Sequence, residues 1–190
     1  MDETPTPPPK VFVVAPEQRL FQEFLEPFQS ETDRAAALLA TAMLDDKLLE
    51  ILESFLTESE SSKTLLRGPR APLGTFSSRI EAAYALGFLD DEERTELNII
   101  RKIRNDFAHS WRTLTFTTAS IKDRVRNLHI RGPFGLPTGT EPPRQHFNYS
   151  VIAILVTLMY RNRFAQAERR VIRQWDKMGT QQEGSRGRSE

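Results

Sequence analysis

Residues Ser30 to Leu56 read SETDRAAALLATAMLDDKLLEILESFL, with apolar side chains recurring at the 3.6-residue period of a long helix. Ser30 stands where an N-cap hydroxyl belongs, and Glu31 and Asp33 place acid in the first turn, where it suits the helix dipole. On a helical wheel Leu38, Ala42, Asp45, Leu49, Leu52 and Leu56 share one face, with Arg34 and Glu31 on the same line a little earlier. Asp45 therefore sits in the middle of an apolar stripe. A carboxylate there is costly without a counterpart, so Asp45 is predicted to meet Arg79, Arg104 or Asn105 from another helix. An ion pair joining helices is the first expectation for it, and ligand binding or catalysis the second.

Downstream the same periodicity continues. Leu65 to Gly74 contains two glycines and two prolines and reads as a loop. Gly74 or Thr75 then starts a helix through Ile80, Ala83 and Tyr84 that ends near Gly87. Asp90 with Glu93 has capping-box character and opens a helix through Leu97, Ile100, Arg104, Phe107 and Trp111. A short helix is expected over Ser120 to Leu128, then a long Gly- and Pro-rich loop from Gly132 to Pro143. The last helix is predicted from Asn148 to Lys177, apolar at first and then basic through Arg161, Arg163, Arg169, Arg170 and Arg173.

Upstream, a helix is expected over Glu17 to Glu26, stopped by Pro27. Residues 1–16 are proline-rich and predicted to be a disordered arm, and residues 179–190 a disordered polar tail. Strand-like pieces are short, Val11 to Val14 and Leu114 to Thr117. The expectation is an all-α, single-domain helical bundle over residues 17–178.

Composition narrows the chemistry. The 190 residues include no cysteine and three histidines, His109, His129 and His146. Disulfides, thiolate metal sites and a cysteine nucleophile are thereby excluded, and histidines without His-x-x-x-His spacing make a metal site improbable; neither metal nor cofactor is expected. The acidic, proline-rich start lacks the character of a secretory signal. The longest apolar run, Val151 to Tyr160, is about half of what a bilayer requires. A soluble cytoplasmic protein with no membrane contact is the corresponding expectation. Formal net charge is zero, yet residues 1–100 hold 9 basic and 19 acidic groups and residues 101–190 hold 17 and 7. Such asymmetry favours complementary faces that pair within or between subunits over a nucleic-acid surface.

The stretch Arg101 to His109, RKIRNDFAH, carries the most chemistry. Arg104 falls among Leu97, Ile100, Phe107 and Trp111, and Asn105 and His109 stack one turn apart on the neighbouring stripe. An arginine to hold phosphate and a histidine to move a proton suit metal-free RNA cleavage. In the competing structural reading Arg104 pairs with Asp45, while Asn105 and His109 hydrogen-bond to loop backbone. Gly74 at a helix start is a weak anion-site signal without the Walker lysine. The C-terminal arginines are a candidate partner or nucleic-acid contact, but no helix-turn-helix, zinc finger or basic zipper is present to read DNA.

Three segments in order, ETDRAAALLATAMLDDKL (Glu31–Leu48), PLGTFSSRIEAAYALGFL (Pro72–Leu89) and IRKIRNDFAH (Ile100–His109), together resemble the mannitol operon repressor family. The resemblance implies an all-α transcriptional regulator that lacks a DNA-binding module and represses through a protein partner. The expected function is thus a non-enzymatic regulator, a homodimer whose contact surface includes the Leu65–Gly74 loop and the basic C-terminal helix. More narrowly, Arg104, Asn105 and His109 in RNDFAH are similar to the Arg-x4-His signature of the HEPN superfamily. That likeness implies a metal-independent ribonuclease of toxin or phage-defence type, with Arg104 and His109 at a dimer cleft and Asn105 assisting, as the alternative.

Overall fold

The computed structural model describes residues 28–129 and 141–175. The expected arm at residues 1–16, the helix Glu17–Glu26, most of the Gly/Pro loop and the tail at 179–190 lie outside the described residues. Among the described residues the complete helices are α1 (Asp33–Phe55), α2 (Glu60–Leu66), α3 (Phe76–Ala85), α4 (Asp91–His109), α5 (Ala119–Arg126) and α6 (Pro143–Ala167). The architecture is all-α, and no strand occurs among the described residues.

Helix α1 is the axis of the fold, packing against α6 along much of its length and against α4, α3 and α2 on other sides. Its inward face is Ala36, Ala37, Ala40, Leu44, Leu48, Ile51 and Phe55, with the three alanines fully buried. Small side chains there let a neighbouring backbone come close, while the leucines and Phe55 fill the wider end. From α6, Phe147, Val151, Ile154, Leu155 and Leu158 join the same core, as do Leu97, Ile100, Ile103 and Phe107 of α4. Phe107, Phe116 and Phe147 stack in sequence, with centroids 5.2 and 4.8 Å apart.

The starts of α1, α3 and α4 follow the sequence closely, with one shift. Thr32, not Ser30, caps α1, its side chain accepting from the Ala35 N–H. Thr75 caps α3, and Asp90 with Glu93 forms the capping box of α4. At Gly87 a φ of +79° turns the chain away after α3, a conformation that glycine adopts without a Cβ penalty.

Four expectations are corrected. Helix α2, which carries Leu66 into a small apolar cluster with Leu49 and Leu52, occupies a segment in which no helix was anticipated. Leu114–Thr117 forms a turn rather than a strand. The last helix begins at Pro143, whose missing N–H costs nothing in the first turn, and stops at Ala167 instead of Lys177. Beyond it, residues 169 and 170 fold back on α1: the Arg170 N–H donates to the Phe55 carbonyl at 2.7 Å and Arg169 Nε to Ser54 at 3.0 Å. Helix α4 ends at His109, so Trp111 does not continue its apolar face but is 88% exposed.

Long-range polar contacts fasten the N-terminal end of α1. Asp33 accepts from the Phe116 N–H at 2.8 Å and pairs with Arg144 of α6 at 3.0 Å, while Arg144 also donates to the Phe28 carbonyl. Arg34 donates to the carbonyls of Ser110 and Arg112. No described helix is long and apolar enough to cross a membrane.

Two substitutions test this packing. Ala40→Leu inserts a large side chain into a filled position and is expected to destabilise by about 1–3 kcal/mol. Asp33→Ala removes one acceptor shared by two elements and is expected to cost roughly 2–3 kcal/mol. Urea unfolding followed by circular dichroism measures both; an unchanged midpoint for either contradicts the assignment.

Candidate functional site

Between α1, α3 and α4 lies an open cleft of about 610 Å³, within the usual size range of small-molecule sites. Helix α1 contributes Leu38, Thr41, Ala42 and Asp45, which fall one turn apart on one face. Helix α4 contributes Arg101, Arg104 and Asn105, spaced i, i+3 and i+4 and therefore on a common face. The third wall is the start of α3, with Gly74, Thr75, Phe76 and Ser77. A Cβ at Gly74 would come within 3.0 Å of the Ala71 carbonyl oxygen, so the tight entry into α3 depends on glycine there.

The stripe on which Asp45 was placed is thus split in two. Leu49 and Leu52 are buried, whereas Leu38 and Ala42 are exposed on the cleft wall and Asp45 is half-buried between the two regions. Its counterpart is Arg79, with Nη1 2.8 Å from Asp45 Oδ1. Arg104, the other candidate partner, forms no ion pair with it. Arg79 wins because it is buried in the α1–α3 junction, where its Nε donates to the Leu73 carbonyl at 3.0 Å and its Nη2 to the Leu66 carbonyl at 3.2 Å. One guanidinium therefore ties the α2–α3 connection to α1.

Burial pushes the Asp45 carboxyl above its usual 3.8, and the charge and hydrogen bonding of Arg79 offset this only in part. Removal from water thus outweighs the ion pair at this carboxylate.

Arg104 and Asn105 meet each other, Arg104 Nη1 donating to Asn105 Oδ1 at 3.0 Å, and Arg101 Nε donates to Asn98 Oδ1 at 3.3 Å. Neither arginine forms a carboxylate salt bridge with a described residue. Arg104 is half-buried on the flank of α4 and is not part of its core face, which is Leu97, Ile100, Ile103 and Phe107. His109, at the exposed end of α4, does not line the cleft. The three residues of the RNDFAH signature are therefore not gathered into one site within a single chain. Sequence reading missed Thr41, Thr75, Ser77 and Arg101 as cleft residues; the i, i+4 spacing of Thr41 to Asp45 and i, i+3 of Arg101 to Arg104 were the available signals.

The C-terminal arginines are placed in two groups. Arg161 is half-buried and donates to the Phe88 carbonyl at 2.7 Å and to Glu93, the same acid that closes the capping box of α4. Arg169 reaches Ser54 and, at 3.5 Å, Glu58, and Arg170 lies over the Phe55 ring. Arg163 and Arg173 are exposed, Arg163 lying over Tyr160 at 6.0 Å. No group of metal-ligating side chains occurs among the described residues.

These contacts separate two variants. Arg79→Met orphans two carbonyls and one carboxylate and is expected to cost roughly 3 kcal/mol. Asp45→Asn keeps the shape and should be close to neutral. Because the Asp45 value is raised on folding, its contribution to stability is full below the unfolded value and is lost as pH rises through the folded one. The asparagine variant should therefore gain on wild type as pH rises from about 4 to 7; urea midpoints across that range that move the opposite way contradict the burial argument.

Comparison with known proteins gives one structural likeness. No protein-family model matches the chain, and no curated protein matches it. A chain of the X-ray structure of the MtlR–HPr complex from Escherichia coli superposes with a TM-score of 0.54 at 21% sequence identity, covering 78% of this chain and 99% of that one. The chain accordingly has an MtlR-like helical fold.

Proposed function

We propose that the protein is a regulator of the mannitol operon repressor type, without catalytic activity of its own, that acts by binding a protein partner. The observation that supports this most is the likeness to MtlR in a structure where MtlR is held in a complex with HPr. The three-segment resemblance between residues 31 and 109 points the same way. In this reading the chain is cytoplasmic, dimeric and represses transcription indirectly, since none of its described helices has the setting of a major-groove reader.

The surface favoured for the partner combines the α2–α3 connection with the segment after α6. Leu66 and Arg169 line one shallow groove with Glu53, Glu58 and Lys63, so the two regions lie on one side of the molecule. Leu65, next to Leu66 in the chain, and Val171, Ile172 and Trp175, which follow Arg169, are exposed, the last three at 75–77%. Exposed apolar side chains ringed by charges are the usual make-up of a protein-contact patch.

Direct DNA binding through the arginines is weakened as a reading, because Arg161 and Arg169 are engaged within the chain. The ribonuclease alternative gains nothing from the placement of His109. Isothermal titration of the purified chain with HPr from the same organism is expected to give micromolar or tighter binding, weakened at least tenfold by a Trp175→Asp/Ile172→Asp double variant. Labelled single-stranded RNA incubated with the protein in EDTA is expected to stay intact. No HPr binding together with RNA cleavage lost in a folded His109→Ala variant would replace this function with the nuclease one.

A further inference from the structure

We propose that the α1–α3–α4 cleft binds a small phosphate monoester whose organic part carries hydroxyl groups. The inference deepens the regulatory reading by giving it an effector site, and rests on that reading only for the ligand's role.

The charge in the cleft is the first argument. Arg79 stands beside Asp45 at 2.8 Å and cancels its charge. Arg101 and Arg104 are left, each donating to a neutral amide rather than to a carboxylate. Two guanidiniums on one face of α4, neither in a carboxylate salt bridge with a described residue, match the roughly dianionic charge of a phosphate monoester near neutral pH.

The donors opposite them are the second argument. Phe76 and Ser77 open α3, a helix of 10 residues, and the backbone N–H groups of a first turn have no intrahelical acceptor. The side chain of Thr75 is already spent on its capping box with Ser78, whereas Ser77 lines the cleft. Arginine forks on one wall and helix N–H groups on another supply anion-binding donors from two directions.

The remaining polar groups select the organic part. Asp45 lines the cleft half-buried in the α1 wall, and its carboxylate can accept from a ligand hydroxyl. Thr41, donating to the Ala37 carbonyl, still has an oxygen able to accept, and Asn105 has an amide NH₂ to donate. A cleft of about 610 Å³ holds a molecule of this kind.

The test uses the purified chain, ¹⁵N-labelled and titrated at constant ionic strength with glycerol 3-phosphate, glucose 6-phosphate and inorganic phosphate, beside glycerol, glucose and chloride. The phosphate monoesters are expected to bind with a Kd of about 1 mM or tighter and to shift the Phe76 and Ser77 amides and the Nε resonances of Arg101 and Arg104. The free polyols and chloride are expected to do nothing. An Arg101→Gln/Arg104→Gln double variant, its fold checked by circular dichroism and by an unchanged core methyl spectrum, should bind at least tenfold more weakly. Four results would each overturn the proposal: no shift at about 10 mM monoester, shifts unchanged in the folded double variant, inorganic phosphate binding as well as either monoester, or a single-stranded RNA oligonucleotide binding these residues more tightly than the monoesters. Should the double variant not fold, Ser77→Asp, which places a fixed negative charge among the anion donors at an α3 position that any residue can occupy, must abolish the same shifts. Because HPr is absent from the titration, failure of the protein-partner reading would leave this result intact.

Discussion

Packing of the alanine-rich half of α1 against α6 is the constraint on which the other elements depend. Ala36, Ala37 and Ala40 are fully buried, and this close contact fixes the axis around which α3, α4 and α5 find places. Once α1 and α6 are set, Asp33 and Arg144 lie close enough to pair, and Phe116 and Phe147 can stack between them. The cleft follows from the same geometry. Where α3 and α4 meet α1 they leave Leu38 and Ala42 uncovered on the cleft wall.

Much of the fold was legible in the sequence because its signals are local. Hydroxyls and acids at helix starts satisfy backbone N–H groups within four residues, so Thr75 and Asp90 announce α3 and α4 without tertiary information. The 3.6 period of α1 is equally local. What failed was the reading of faces and ends. Arg104 looked interior because its neighbours at helical spacing are apolar, yet α4 turns its core face slightly aside and ends before Trp111. Helix α2 carries so many serines and threonines that its single buried leucine gave no periodic signal.

Polar partnerships were less legible, for the reason that a charge has no preferred partner until the backbone brings candidates together. That Asp45 would need a counterpart followed from burial alone; that it is Arg79 depends on the α2–α3 connection crossing the same junction. The basic C-terminal region shows the limit most sharply. Arg161, Arg163 and Arg169 look alike as a sequence run, but the first closes the cap of α4, the second is exposed and the third reaches the end of α1.

That last contact bears on how the protein is made. Helix α1 has no basic residue in its final turn, and the Arg169 side chain and the Arg170 N–H, which approach its terminal carbonyls, lie more than a hundred residues further along. The main covering of its apolar face, α6, also comes last. During synthesis from the N-terminus, α1 therefore leaves the ribosome well before the groups that complete it, with its alanine and leucine face wet and its carboxyl end open. Native tertiary structure has to await release of α6 and the residues just after it, and until then the growing polypeptide presents to chaperones the very surface that later becomes its core.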